Sequence, residues 1–526
     1  MKYKQLIELK SNYFKDQNFA KNLEKISNSH FKPSKIQEYY HVLLFLSAHS
    51  QSEEHLKIIN TELAKINIWC KSYSLRNSSN FDNTGLPYSN IYSFFSFTIC
   101  NWIFINNINI DINDIPDNTN SINELLQFTL PQTEIDICQY NYSNSDILRQ
   151  LNIKSNSLEF LLNQLNNSNL PFTIKEYLFE KLKAVFEVKL NSEINIHSNK
   201  LSFSKNYFHH SLQKKIDPKS WFGKRIPKAS SLTESQLNEI ERTSKLILML
   251  LQRETDPVTY MDKSSVRYYE LENGISIALF TMQEEKQQAL ESYVGFSLFK
   301  NGFPAAYGGA WIFANTGLIG INVFEWFRGG ESSLFFIQLL RLYSQLFELA
   351  SIEVEPYQYG KDNVEGIKSG AFWFYYKLGF RPTDSQINNL AKIEFTKLES
   401  DKQYQTSEKT LLKFTESNLS LKFNNNKKIN ILFFKTKIAK FLNKYNINRD
   451  RASKDSIAKL KSVNQLKHIK NTRSNENIAL LIQSTNLNIS KKIPLLRKLL
   501  LSSQCNPYLY QYYIRKLLDN SKNKTI

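Results

Sequence analysis

Two Asn-Gly pairs, Asn273-Gly274 and Asn301-Gly302, constrain this chain more than any other feature. Both residues of such a pair take positive φ at little cost, which reverses the backbone with the twist that paired strands need. Strand-period runs flank each pair: Val266 to Glu272 and Ile275 to Met282 around the first, Val294 to Phe299 and Ala305 to Phe313 around the second. After Asn315-Thr316-Gly317 comes one more such run, Leu318 to Phe327. The pattern predicts an antiparallel meander.

The period then changes. Arg328-Gly329-Gly330-Glu331-Ser332-Ser333 leads into Leu334 to Leu349, which is apolar around most of its circumference and reads as a buried helix. A short strand, Ile352 to Pro356, follows. A loop, Tyr357 to Ser369, leads to a helix, Gly370 to Leu378, stopped by Gly379 and Pro382. Strand, glycine turn, helix and strand in this order make a crossover, which predicts that its two strands run parallel.

At 526 residues the chain exceeds one hydrophobic core, and we divide it at 1–215, 216–400 and 401–526. The first region reads as mainly helical, with periodic segments at Ile36 to Ala48 and Glu53 to Ile68. Asn- and Pro-rich loops, Asn77 to Pro87 and Asn113 to Asn120, separate its elements. Its most apolar window, Ile91 to Ile105, is shorter than the ~20 residues of a spanning helix and reads as a buried one. Ahead of the meander, a helix begins at Thr233, with Gln236 three residues on as in a capping box, and ends before Pro257.

The formal net charge is +18, and its excess is entirely C-terminal. Residues 401–526 hold 26 of the 67 Lys and Arg but 7 of the 49 Asp and Glu, which leaves 41 against 42 for residues 1–400. Such a block fits amphipathic helices that attract a polyanion or an acidic partner, or else a solvated helical face. Cys70, Cys100, Cys138 and Cys505 are too dispersed for a zinc or redox motif. They read as structural thiols of a cytoplasmic protein, with no signal peptide and no transmembrane segment expected. No metal is expected either: His209-His210 are adjacent, so their side chains diverge. Phosphate-loop, HExxH and Gly-x-Ser-x-Gly motifs are missing from the sequence.

The run Ala371-Phe372-Trp373-Phe374-Tyr375-Tyr376-Lys377-Leu378-Gly379-Phe380-Arg381-Pro382 resembles the late helix of the GNAT acyltransferase superfamily, where Phe-Tyr-Glu-Lys-Leu-Gly-Phe is typical. The preceding order of strands and helices agrees with it, so the fold class expected is α+β, a GNAT-like mixed sheet with flanking helices. The resemblance covers about a quarter of the chain. It implies a glycine turn whose amides hold the pyrophosphate of acetyl-CoA or another acyl-CoA, here Arg328, Gly329, Gly330, Ser332 and Ser333, in keeping with the preference of helix N-termini for anions. It also implies two parallel strands that splay to admit the pantetheine, and Tyr375 as the acid that protonates the leaving thiolate.

A base near the central strand would deprotonate an amine acceptor, which makes Glu325 the leading candidate and Glu353 and Glu355 weaker ones. The sequence departs from the family pattern in three places. Glu331 and Ser333 stand where glycine or alanine is usual; Lys368 stands where an Asn is common, with Asn363 five residues earlier; and the two strands that usually close the sheet are not evident after Pro382. The expected activity is therefore acyl transfer from acyl-CoA to an amine. The alternative is a non-catalytic GNAT-like scaffold whose basic region binds nucleic acid, membrane or an acidic protein.

Overall fold

The computed structural model describes residues 3–28, 33–74, 81–117, 119–140, 142–153, 156–214, 216–446, 448–490, 492–502 and 506–519. The chain forms two compact units. One comprises Met1–Ser211, Glu234–Tyr260 and Lys300–Pro304; the other comprises Leu212–Thr233, Met261–Phe299 and Ala305–Ile526.

The first unit is largely helical, with long helices at Pro33–Ala48 and Glu53–Ser74, where the periodicity predicts them. It also holds a small antiparallel sheet that the sequence reading lacks: β1 (Asn90–Ser93), β2 (Ile110–Asp114) and β3 (Val185–Lys189), with β3 in the middle. The apolar window Ile91 to Ile105 is thus not one helix. Its first residues pair with β3, and the helix begins only at Phe97, where Ser96 caps it by accepting from the Ile99 N–H. Glu254 and Glu176 bind the same helix start, taking the N–H groups of Ser96, Phe97 and Thr98. These two carboxylates therefore cap the helix, placed where the helix dipole favours negative charge.

The second unit is built on an eight-stranded mixed sheet, and the protein is α+β. Its strands are β4 (Met261–Glu270), β5 (Ile275–Met282), β6 (Ser292–Lys300), β7 (Phe303–Phe313), β8 (Thr316–Val323), β9 (Ser351–Val354), β10 (Arg381–Pro382) and β11 (Leu419–Lys422), in the order β10-β11-β9-β8-β7-β6-β5-β4. Both Asn-Gly pairs turn as the sequence predicts: Asn273 and Gly274 have φ of 61° and 66°, Asn301 and Gly302 of 47° and 81°. β4 and β5 pair antiparallel, as do β7 and β8, whereas β8 and β9 pair parallel around the crossover helix Ser332–Leu346.

Ten consecutive residues of that helix, Leu334 to Tyr343, are buried. They include Arg341, which is wholly shielded from water and makes two hydrogen bonds of 2.8 and 2.9 Å to the Glu272 carboxylate. The helix Ala371–Lys377 ends in a Schellman motif: Gly379 (φ 99°) donates to the Tyr376 carbonyl and Phe380 to that of Tyr375.

Two further sequence expectations are corrected. The strand expected over Leu318 to Phe327 ends at Val323, and a 3-10 turn follows at Glu325–Phe327. After the late helix the sheet does continue, because β11 inserts antiparallel between β9 and β10. The segments after β11 fold onto a second apolar core in the same unit, where Phe434, Ile457, Ile478, Leu496 and Ile514 meet Leu290 and Phe313.

Candidate functional site

β8 and β9 run together for only three pairs, Thr316–Ser351, Gly317–Ile352 and Leu318–Glu353. β8 continues for five residues beyond the last pair while β9 ends one residue later, so their pairing stops there. The unpaired part of β8 is met by a side chain. Gln358, in the 3-10 turn Pro356–Tyr359, accepts at Oε1 from the Ile321 N–H at 3.3 Å. The absence of a side chain at Gly320 makes room for it, since a Cβ there would lie 3.2 Å from the Gln358 amide nitrogen.

Tyr375 reaches the same carboxamide, its hydroxyl 3.5 Å from Gln358 Oε1. The ring is buried among Phe336, Tyr359, Phe374 and Phe380, and burial pushes the hydroxyl pKa up. The hydroxyl stays protonated and points its proton at Gln358.

At the end of β8, Arg328 closes the 3-10 turn. Its Nε donates to the Val323 carbonyl at 3.1 Å and its Nη1 pairs with Glu365. Gly329 has φ of 72° and open space around it, so the turn backbone is accessible from outside. Gly330 N–H returns to the Phe327 carbonyl at 3.3 Å.

Glu331 occupies the N-cap position of the crossover helix without capping it. The residue is 1% exposed, and its Oε1 accepts from the backbone N–H of Gln213 at 2.9 Å. Gln213 in turn takes the Asn273 amide at 2.7 Å. The carboxylate is thereby engaged inside the fold. The first backbone bond of the helix runs from Phe335 N–H to the Glu331 carbonyl, so the amides of Ser332, Ser333 and Leu334, both serines being half-buried, find no partner within the helix.

Glu325 is exposed on the 3-10 turn, beyond the strand on which the sequence reading set it. Among the described residues no hydrogen bond joins it to Tyr375. Glu353 is bound by Lys428 at 3.1 Å and by Asn418, while Glu355 lies exposed past the end of β9. Asn363 caps the helix Val364–Lys368 by accepting from Gly366 N–H and donates to the Tyr357 carbonyl, a structural task.

His209 is buried and His210 exposed. Among the described residues no group of His, Cys, Asp or Glu is arranged to hold a metal ion, and no helix is long and apolar enough to cross a membrane. Cys70, Cys100 and Cys138 are buried free thiols; Cys505 lies outside the described residues.

Sequence reasoning missed Gln358 and Gln213. Neither sits in a motif, and each matters only through the distant backbone amide or carboxylate that it meets. Compared with family models, with curated proteins and with solved structures, the chain matches none.

Proposed function

We propose that the second unit is a divergent GNAT-like core that transfers an acyl group from an acyl-CoA to an amine. The observation that carries this reading is the end of the parallel β8–β9 pairing shortly before an exposed glycine turn and an uncapped helix N-terminus. Unpartnered amides at a helix start favour an anion. Glu331, whose charge would oppose a pyrophosphate, is hydrogen-bonded by the Gln213 amide inside the fold.

In this reading Arg328, Gly329, Gly330, Ser332 and Ser333 receive the cofactor phosphates, and Arg328 exchanges Glu365 for them. Glu325, open to solvent, takes the proton of the attacking amine. Tyr375, neutral and buried, gives one to the departing thiolate. Amine attack on a thioester needs little more than orientation and these two proton transfers.

A second reading rests on Gln358. Its carboxamide accepts from the Ile321 N–H of β8 beyond the paired stretch, and a side chain fixed there would make the unit a non-catalytic GNAT-like scaffold. Calorimetric titration of the full chain with acetyl-CoA and with CoA separates the two, using Arg328→Ala, Glu331→Ala and Gln358→Ala alongside the unaltered protein. Binding that Arg328→Ala abolishes supports the transferase and justifies an acceptor screen. Binding that appears only in Gln358→Ala supports the scaffold, and a folded protein that binds in no form removes the transferase reading.

A further inference from the structure

The basic excess of the chain is densest over residues 427–473, which hold fourteen Lys and Arg against two acidic residues, Asp450 and Asp455. Within this stretch the helix Ile431–Leu442 has two unlike faces. Phe434 is buried in the second core, and Ile431 and Ile438 pack against that core. The opposite face carries Phe433, Lys437 and Lys440, continued by Lys444 in the 3-10 turn Asn443–Tyr445. Steps of four, three and four residues put these side chains in one row, about 16 Å long at 1.5 Å per residue.

All four are exposed, Phe433 by 43% despite being aromatic, and Leu432 beside it by 65%. Lys437 holds its ammonium 5.6 Å from the Phe433 ring centroid. Two other lysines of this stretch are paired with carboxylates, Lys428 with Glu353 and Lys435 with Glu291. Among the described residues Lys437, Lys440 and Lys444 form no ion pair.

We infer that this row is a binding surface for single-stranded nucleic acid, with Phe433 as a stacking platform for a base and the three lysines along the phosphates. Charge complementarity selects a polyanion, and an exposed ring beside a cationic row supplies the two elements, stacking and phosphate contact, that sequence-tolerant single-strand binders combine. An anionic bilayer fits less well. A helix lying on lipid needs a broad apolar face toward the acyl chains, and here that face is already used by the core. The inference does not depend on acyl transfer.

Fluorescence anisotropy of the full chain with labelled oligo(dA) and oligo(rA), each of about 20 nucleotides so as to exceed one site, tests it. Binding should weaken steeply between about 50 and 200 mM salt. The triple variant Lys437→Gln/Lys440→Gln/Lys444→Gln should bind about 10-fold or more weakly, with its log–log salt slope shallower by about 2, since each single-strand phosphate contributes about 0.7. Phe433→Ala should lose roughly 10-fold with the slope unchanged, because stacking releases no counterions.

All these positions are exposed, so circular dichroism spectra should match the unaltered protein. Three results overturn the inference: no binding, wild-type affinity in the triple variant, or binding confined to phosphatidylserine vesicles. Equal affinity for duplex DNA with Phe433→Ala silent would overturn the assignment to single strands.

Discussion

The pair between Glu272 and Arg341 gives a quantitative test of how the sheet is joined to its crossover helix. Arg341 is completely buried, whereas the Glu272 side chain is 42% exposed, and Gln338 supports the same carboxylate at 2.9 Å. Removing one partner of a buried ion pair costs about 3–5 kcal/mol, because the other charge is left without compensation. Glu272→Ala strands the guanidinium in this way. Water that already reaches the Glu272 position softens the loss, so we expect about 2–3 kcal/mol.

Arg341→Met leaves no buried charge, and Glu272 is exposed enough to hydrate, so about 1 kcal/mol is expected. The double variant should then be more stable than Glu272→Ala alone. Urea denaturation followed by tryptophan fluorescence reads this, Trp221 lying 5.7 Å from the Arg341 guanidinium. Additive losses, or a larger loss for Arg341→Met than for Glu272→Ala, would refute the reasoning.

The pair also has a pH signature. Burial opposes ionisation of Glu272, but the hydrogen bonds from Arg341, its own backbone and Gln338 outweigh it, so its pKa falls below 4.5 in the fold. A depressed carboxyl stabilises the fold fully above its unfolded value and loses that contribution as pH drops through the folded one. The stability gap between the unaltered protein and Glu272→Gln should therefore shrink as pH is lowered below 4.5.

Three further outcomes are expected. Gly302→Ala puts a side chain at φ 81° with its Cβ 2.8 Å from the Leu201 carbonyl; positive φ alone costs about 1–2 kcal/mol, so stability should fall by at least that and the thermal midpoint with it, and an unchanged midpoint would contradict the hairpin geometry. Tyr375→Phe should leave stability within about 1 kcal/mol while lowering any acyl-transfer kcat about 100-fold or more; an unaffected kcat would take the acid role from Tyr375. Burial pushes the Cys70 thiol up to about 12 and raises Cys100 and Cys138 as well, so iodoacetamide at pH 8 should leave these three untouched in the native protein and modify them in urea, as mass mapping would reveal.

What the sequence determined by itself is what local backbone energetics control. Asn273-Gly274 and Asn301-Gly302 mark the reversals because neighbouring side chains tolerate positive φ poorly, and Gly379 marks the end of the late helix for the same reason. Apolar runs of strand length on either side then leave an antiparallel meander as the way to bury them. The parallel placement of β8 and β9 follows from the intervening helix, through the handedness of crossovers.

Only the tertiary structure decided the rest. Leu419–Lys422 is too short to announce a strand, and it is one because β9 and β10 supply hydrogen-bonding edges on both sides. Ile91 joins a strand rather than the expected helix because β3 pairs with it. Glu331 has the same local sequence whether it faces the turn or the interior; the Gln213 amide, 118 residues away, draws it inward. Gln358 meets Ile321 only because β9 ends short of that position. Local conformational preferences are written residue by residue, whereas the partner of a buried polar group depends on which distant segment the folded chain brings within hydrogen-bonding range.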